Sequence, residues 1–295
     1  MIDTSKTDDA PRLGRKMSGG YWDNVAEAWR RAGRQRLWRE FSDRHQAALV
    51  TRWIGSLSEG ERSPSQPAPS LSLVKTDLFD EVAGRGIVHR LLASGIRVTG
   101  IDISPLIISE AAAGNPGLEA VVADVRSLPF ADASFDVAFS GSTLDHFESA
   151  VDIQTALGEL CRVLRPGGTL ILTLDNPANP IIWLRNGPLL GLFRRIGIVP
   201  YQVGATLGPR ALERAVQAAG LDVVETTAVM HCPRAIAVAV AGPMERLSRA
   251  WQESFLRHLQ TWERLERWPT RWLTGHYVAI HAVAPRDRGV KPLFR

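Results

Sequence analysis

The chain has 295 residues, of which 45% are hydrophobic and 22% charged, a composition typical of a globular protein with one large domain or two small ones. Its net charge of +4 comes from basic residues spread along the sequence without a stripe of basic and aromatic residues, so we predict no nucleic-acid binding. Cys161 and Cys232 lack metal-ligand spacing, and no metal site is predicted.

The beginning of the sequence predicts the cellular location. The first ten residues, MIDTSKTDDA, lack the charged-then-apolar pattern of a secretion signal. No uncharged apolar run approaches the roughly 20 residues that span a bilayer. We therefore expect a cytoplasmic protein.

Residues 1–70 are predicted to form an N-terminal unit that differs in character from the rest of the chain. Its first 20 residues are polar and predict a loose arm. From 21 to 54 the apolar residues recur at helical intervals among arginines, which predicts a cap of two or three amphipathic helices. The segment EGERSPSQPAPS, residues 59–70, is typical of a linker.

Residues 71–295 alternate short β-like runs with helical segments, the pattern of βαβ units. We predict strands near 71–79, 97–102, 119–122, 135–140, 168–175, 221–230 and 277–284. The predicted helices lie near 86–94, 105–113, 151–164 and 208–219. This order predicts an α/β, Rossmann-like sheet of seven mostly parallel strands with helices on both faces, and two lid-like insertions at 177–207 and 233–275.

The turn after the first predicted strand reads FDEVAGRG, residues 79–86. Gly84 and Gly86 would let the backbone approach a ligand, as in the first strand-helix turn of nucleotide-binding folds. The third glycine of a dinucleotide loop is absent, because His89 occupies its place. Glycine turns between strand and helix also arise for steric reasons alone. The loop by itself is therefore compatible both with a cofactor site and with a purely structural turn.

Two acidic residues end the next predicted strands. Asp102 closes the second strand in VTGIDIS, where a carboxylate can accept hydrogen bonds from both hydroxyls of a ribose. Asp124 lies just past the third strand, in a position to accept from an exocyclic amine. Ligands of open α/β sheets bind at these strand ends, so the two residues point to a nucleoside-containing cofactor.

At this point the sequence resembles the class I S-adenosylmethionine-dependent methyltransferases. The motifs that carry the resemblance are ADVRSLPF, followed by SFD, and ELCRVLRPGGTLILTLDN at 159–176. The resemblance covers about residues 71–232 and resumes at 277–284. A nicotinamide-dependent oxidoreductase would share Asp102 but would need the third glycine, and it would leave Asp124 without a role.

The resemblance implies S-adenosylmethionine as the cofactor and a role for each matching residue. The residues implied around its methionine part are Asp80, Glu81, Gly84 and Gly86. Asp102 would accept hydrogen bonds from the ribose hydroxyls, and Ile103 would touch the adenine. Asp124 would accept from the adenine amine, with the Val125 amide beside it, and Ser140 would lie near the sulfonium.

The sequence departs from the family at the first strand. Val82 stands where the family usually has glycine, which predicts an altered loop and leaves open a non-catalytic lipid- or partner-binding protein that retains the fold. The polar residues Lys75, Thr76 and Asp77 interrupt a strand that should be apolar. If the strand ends at Asp77, this residue replaces Asp80.

Methyl transfer requires a base only when the acceptor must lose a proton, and His146, in STLDHF, is the best-placed candidate. The alternative is a histidine that only packs beside the cofactor. The two insertions are apolar and include Trp183, Phe193 and Trp251, so we predict a small hydrophobic acceptor, quinone-, polyketide- or lipid-like, methylated on oxygen or carbon. Their arginines leave a peripheral membrane contact open.

Overall fold

A computed structural model describes residues 19–32, 35–59, 71–195 and 203–287. The arm predicted for the first residues and nearly all of the predicted linker lie outside the described residues. The side chain of Phe193 also lies outside them.

The described chain forms seven strands and twelve α-helices. The strands are β1 (Ser72–Thr76), β2 (Arg97–Asp102), β3 (Glu119–Val122), β4 (Phe135–Gly141), β5 (Leu164–Asp175), β6 (Asp222–Val229) and β7 (Tyr277–Val283). The helices are α1 (Gly19–Ala32), α2 (Arg36–Glu59), α3 (Phe79–Ala83), α4 (Val88–Ala93), α5 (Pro105–Gly114), α6 (Ala150–Val163), α7 (Pro180–Asn186), α8 (Leu190–Arg195), α9 (Pro209–Ala218), α10 (Arg234–Met244), α11 (Arg249–Thr261) and α12 (Arg271–Thr274). Short 3₁₀ helices occupy Leu144–His146 and Trp262–Arg267.

The strands form one sheet in the order β3-β2-β1-β4-β5-β7-β6. The first five strands of this order are parallel, and β7 runs antiparallel to both β5 and β6. The predicted seven-stranded, mostly parallel α/β sheet is confirmed. The parallel part places the carboxyl ends of β1, β2 and β4 next to one another, where such sheets bind ligands.

Helices cover both faces of the sheet because successive strand residues point to opposite sides. Leu73 and Val74 of β1 are both fully buried, yet they belong to different core clusters. Val74 shares its cluster with residues of α6 and α9, whereas Leu73 shares its own with residues of α2, α4 and α5. Burial on both faces explains why these strands read as nearly continuous apolar runs.

Local sequence signals set the helix starts beside the strand ends. The Ser104 hydroxyl accepts a hydrogen bond from the Ile107 amide at 3.0 Å, and Pro105 occupies the first turn of α5. Ser149 caps α6 in the same way by accepting from the Asp152 amide at 3.2 Å. Each cap satisfies one amide that has no partner inside the helix.

The N-terminal helices pack onto this domain. Buried Leu37, Trp38 and Phe41 of α2 share a third apolar cluster with residues of α10 and α11. Arg44 on α2 also donates to Glu253 on α11 at 2.8 and 2.9 Å. Within the described ranges, no helix combines the length and the hydropathy needed to cross a membrane.

Candidate active site

Two adjoining clefts lie at the carboxyl ends of the parallel strands. The first has a volume of about 570 Å³ and the second about 1080 Å³. Both are lined by Trp22, Asp77, Phe79 and His146. These four side chains therefore form the boundary at which a molecule in one cleft meets a molecule in the other.

The first cleft combines apolar walls with carboxyl groups. Its apolar lining comes from Ile101, Ile103, Ile107, Val125 and Phe147. Its acidic lining comes from Asp77, just past β1, from Asp102, the last residue of β2, and from Asp124, just past β3. Flat apolar walls beside hydrogen-bond acceptors fit a purine nucleoside, so the residues present fit the adenosine part of S-adenosylmethionine.

Asp102 is held in place by backbone amides. Its Oδ2 accepts from the Leu78 amide at 3.0 Å, and its Oδ1 accepts from the Ser104 amide at 2.9 Å. Burial raises the pKa of Asp102 above its ordinary value, although these two amide hydrogen bonds act in the opposite direction. The carboxyl group is thus fixed at the cleft wall with lone pairs that a hydroxyl can still use.

Asp77 follows β1 directly and adopts a left-handed backbone conformation, with φ of +72°. Aspartate tolerates this region better than most residues other than glycine. Its carboxyl group accepts from the Phe79 amide at 2.6 Å. Burial, together with the nearby charge of Asp102, raises the pKa of Asp77 well above its ordinary value. The strand therefore ends as the sequence alternative proposed, with Asp77 at the strand end.

Asp124 is engaged by a neighbouring arginine. Arg126 donates to both carboxylate oxygens of Asp124, at 2.6 to 3.1 Å, and its guanidinium lies 4.9 Å from the centre of the Phe147 ring. Burial acts to raise the pKa of Asp124, but the hydrogen bonds from Arg126 outweigh it and lower the pKa. Arg126 thus fixes the orientation of Asp124 at the cleft wall.

The predicted glycine loop differs from a simple turn. The short helix α3 separates β1 from Gly84 and Gly86, and Val82 lies within it, half-buried against the apolar cluster of α2 and α4. The altered turn that Val82 predicts is therefore present. Neither glycine lines either cleft, because the helix places Phe79 and Asp80 there instead.

Glu81 also points away from the clefts. Its Oε1 accepts from the amides of Ile87 and Val88 at 3.1 and 3.4 Å, and its Oε2 accepts from Lys75 Nζ at 3.0 Å. Gly86 has φ of +57° and lies against the Glu81 carboxylate so closely that a larger side chain would collide with it. The carboxylate fills the space beneath the loop and is fully buried there.

Ser140 lies behind the cleft wall. It is fully buried, and its hydroxyl accepts from the Thr76 hydroxyl at 2.8 Å. The next two residues along the chain, Gly141 and Ser142, line the second cleft. Of the residues that the resemblance implied, the clefts bring together Asp80, Asp102, Ile103, Asp124 and Val125. They do not include Glu81, Gly84, Gly86 or Ser140.

The second cleft lies between the N-terminal helices and the sheet. Its apolar lining comes from Trp22, Val25, Trp38, Leu49, Val229 and Met230. Polar side chains interrupt this lining, among them Arg39, Ser42, Gln46, Arg234 and Tyr277. The cleft is large enough for a ring system with a short chain, and most of its cover comes from α1 and α2.

His146 stands at the junction of the two clefts. Its ring packs edge-on against Trp22, with 4.8 Å between centroids. Its Nε2 lies 4.0 Å from Oδ1 of Asp145. That Oδ1 is buried without a hydrogen-bond partner among the described residues, while Oδ2 accepts from the Ser142 hydroxyl at 2.7 Å. A carboxyl oxygen that lacks a hydrogen bond thus lies beside the imidazole.

The two insertions contribute less to the clefts than the sequence predicts. No described residue of 177–195 lines either cleft, and the side chain of Trp183 is 58% exposed. From the second insertion only Arg234 lines the larger cleft, while Leu256 and Leu259 pack onto α2. The prediction that both insertions surround the acceptor stays a prediction, but their described residues contribute only Arg234 to the two clefts, and α1 and α2 cover the second cleft.

Sequence reasoning missed Phe79 and the polar face of α2. Asp43 is 5% exposed and lies near the charges of Asp80 and Glu81. Asp43 could have been identified from the sequence, because it is an acidic residue among the apolar positions of a helix. No group of three or more His, Cys, Asp or Glu in the described part of the chain is arranged to hold a metal ion.

Comparison with known proteins agrees with this geometry. The family model of the methyltransferase domain matches residues 81–172 and so begins just past β1, where this chain is unusual. A demethylmenaquinone methyltransferase of Thermus thermophilus is 33% identical over 170 residues, which cover 50% of this chain and 74% of that protein. The chain belongs to the class I S-adenosylmethionine-dependent methyltransferases.

Other similarities are shorter or concern the fold alone. A malonyl-[acyl-carrier protein] O-methyltransferase of Enterobacter lignolyticus is 36% identical over 97 residues, 32% of this chain and 38% of that protein. A chain in the complex between the Haloferax volcanii Trm112 methyltransferase activator and a methyltransferase has a TM-score of 0.52 at 19% identity. That alignment covers 91% of this chain and 98% of the other. At such low identity it shows that the two chains share a fold.

Proposed function

We propose that this methyltransferase transfers a methyl group from S-adenosylmethionine to oxygen or carbon of a small hydrophobic acceptor, and that the acceptor is quinone-like. The observation that carries the proposal is the pair of adjoining clefts with a shared boundary at Trp22, Asp77, Phe79 and His146. A relative that acts on demethylmenaquinone, as its name states, supports the quinone class.

The first cleft would hold the adenosine part of the cofactor. We propose that Ile103 and Val125 contact the adenine, that Asp124 accepts from its amine, and that Asp102 and Asp77 accept from the ribose hydroxyls. All five residues line the first cleft. When bound, S-adenosylmethionine supplies a methyl group on a sulfonium that is already activated for transfer.

The second cleft would orient the acceptor. Alignment of the acceptor atom with the methyl group supplies much of the catalysis in such a transfer, and the chain achieves it by confining the acceptor between helix and sheet. Trp38, Leu49 and Met230 are buried and line this cleft, so they offer apolar contact to a ring. Trp22 on α1 lies over the junction and would exclude water from it.

His146 would remove the acceptor proton where the methylated atom is a hydroxyl oxygen. A histidine at the boundary of both clefts lies where acceptor and cofactor meet, which is the geometric requirement for a general base. The charge of the imidazolium would be balanced by Asp145, whose Oδ1 lies 4.0 Å from Nε2.

Transfer of labelled methyl from S-adenosylmethionine tests this function directly. Purified protein is incubated with a naphthoquinol that bears a short prenyl chain and, separately, with a malonyl thioester, the acceptor class that the name of the Enterobacter relative suggests. We expect label in the quinol and none in the thioester. Label in the thioester alone would replace the quinone class with a carboxylate acceptor. Failure of the protein to bind S-adenosylmethionine in calorimetry would contradict the function as a whole.

A further inference from the structure

We infer that α10 and the residues that follow it form a docking surface for an anionic lipid bilayer. The surface, termed here the α10–α12 face, comprises the exposed residues between Ala235 and Leu273. The inference does not depend on the proposed acceptor.

The first observation is that α10 is apolar on its exposed side as well as on its buried side. Ala237 and Ala241 are buried in the cluster with α2. On the other side Ile236 is 65% exposed and Val240 is 40% exposed. Residues 235–244 read AIAVAVAGPM, without one charged or hydrogen-bonding side chain. A helix that is apolar all round is normally covered on all sides, yet no described part of this chain covers this side.

Large exposed apolar side chains continue past α10. Leu247, in the connection between α10 and α11, is 47% exposed, and Trp251 on α11 is 62% exposed. Trp268 and Leu273 follow at 60% and 55%. Indole rings are enriched where a polar and an apolar phase meet, because they have an apolar body and a polar N–H group.

The second observation is that the charges on this face have one sign. The exposed charged residues between Ala235 and Leu273 are Arg246, Arg249, Arg257, Arg264 and Arg267. Of these, only Arg249 forms an ion pair with another described residue. Exposed guanidinium groups therefore stand among the exposed apolar residues, although the charge of Arg257 also acts on Glu253.

The acidic residues of the same segment are half-buried and have partners elsewhere in the protein. Glu245 accepts from the Leu37 amide at 3.0 Å, and Glu253 accepts from Arg44 at 2.8 Å. Glu263 accepts from two amides, those of Met230 and His231, each at 3.1 Å. Glu266 accepts from Arg52 at 2.8 Å. All four carboxylates are thus engaged by the body of the protein, so the exposed charge is positive.

This combination selects a lipid surface over a protein partner. The centre of a protein–protein interface is depleted of charged residues, whereas interfacial membrane segments combine exposed apolar and aromatic side chains with arginines that reach anionic headgroups. Each arginine near an anionic leaflet favours binding about fivefold. The face begins at Ala235, next to Arg234 of the larger cleft, so docking would bring the cleft close to the lipid.

Co-sedimentation of the purified full chain with vesicles tests the inference without an activity assay. The vesicles are phosphatidylcholine alone or equal parts of phosphatidylcholine and phosphatidylglycerol. We expect binding to the anionic vesicles that weakens as salt is added. The pair Ile236→Ser with Trp251→Ser, and the pair Arg257→Glu with Arg264→Glu, should each reduce binding more than about tenfold.

Two matched variants serve as controls for the substitutions. Val151→Ser replaces a valine that is 74% exposed on α6, and Arg97→Glu reverses an exposed arginine at the start of β2. Both should bind vesicles as the parent does. Equal loss in the controls, or no binding of the parent to anionic vesicles, would overturn the inference. So would light scattering that shows the serine pair converting a dimer to a monomer while vesicle binding is unchanged.

Discussion

The amine of Lys75, in the middle of β1, lies 3.0 Å from the carboxylate of Glu81 beneath the following loop. Both side chains are buried, at 5% and 0% exposure. Burial acts to lower the pKa of Lys75, but the charges of Glu81 and Asp77 outweigh it and raise the pKa. The pair joins β1 to α3, which contributes Phe79 and Asp80 to the clefts.

Loss of either partner should therefore destabilise the fold. Lys75→Met leaves a buried carboxylate without its cation, and we expect unfolding free energy to fall by about 3–5 kcal/mol in urea titrations. The double variant Lys75→Met with Glu81→Gln should lose less than the sum of the single variants. Asp132→Asn, in the exposed pair with Arg162, should cost less than about 1 kcal/mol. Additive losses would contradict the coupling.

Asp43 should make stability depend on pH. Burial, with the charges of Asp80 and Glu81, raises the pKa of Asp43 from 3.8 to about 8, against the opposing charges of Arg39 and Lys75. The folded protein holds this proton more tightly than the unfolded chain does. The stability it contributes is fully present below the unfolded pKa and is lost as the pH rises through about 8.

Asp43→Asn removes this titration. The unfolding free energy of the parent relative to the variant should decrease as the pH rises from about 4 to about 8 and then level off. Urea unfolding at a series of pH values measures the difference. A difference that does not change with pH would show that Asp43 keeps an ordinary pKa in the fold.

Asp102 should determine affinity for S-adenosylmethionine. Asp102→Asn keeps the size of the side chain but removes a charged acceptor from the first cleft, so we expect calorimetry to show affinity at least about tenfold lower. Asp222→Asn, at the exposed start of β6, is the matched control and should bind as the parent does. If Asp102→Asn binds S-adenosylmethionine as tightly as the parent does, Asp102 does not contribute to the cofactor site.

His146→Gln should lower kcat by about 10²-fold or more for an acceptor methylated on a hydroxyl oxygen, because the proton acceptor is lost. The lost rate should partly return at high pH, where the hydroxyl ionises without a base. His89→Gln changes a histidine on α4 that lines neither cleft, and should keep the parental kcat. If His146→Gln keeps the parental rate at neutral pH, the histidine only packs against Trp22.

The second cleft should determine the Michaelis constant for the acceptor. Ser42→Phe places a ring in the cleft and should raise that constant about tenfold or more while affinity for the cofactor is unchanged. Trp183→Ser, in the first insertion, should leave it unchanged because Trp183 is exposed outside both clefts. If steady-state kinetics instead show a higher Michaelis constant for Trp183→Ser and an unchanged one for Ser42→Phe, the first insertion forms the acceptor site.

The sequence by itself determined the sheet and the strand ends that a cofactor meets. Apolar runs with period and length typical of buried strands fall within a few residues of β2 to β7. Asp102 closes β2 and Asp124 lies just past β3, as predicted. These features are local, because strand propensity, helix caps such as Ser104 and the order of βαβ units depend on neighbouring residues.

Only the tertiary structure decided which residues surround the ligand space. The sequence FDEVAGRG predicts a glycine loop, but its first five residues form α3, Glu81 is buried against Lys75, and Asp77 directly follows β1. The sequence of the insertion with Trp183 predicts an acceptor lid, yet residues of α1 and α2 line the second cleft and Trp183 does not. Such outcomes depend on which elements pack onto a given surface and on which partners the buried charged groups contact. Contacts between secondary-structure elements decide both, and no single sequence pattern records them.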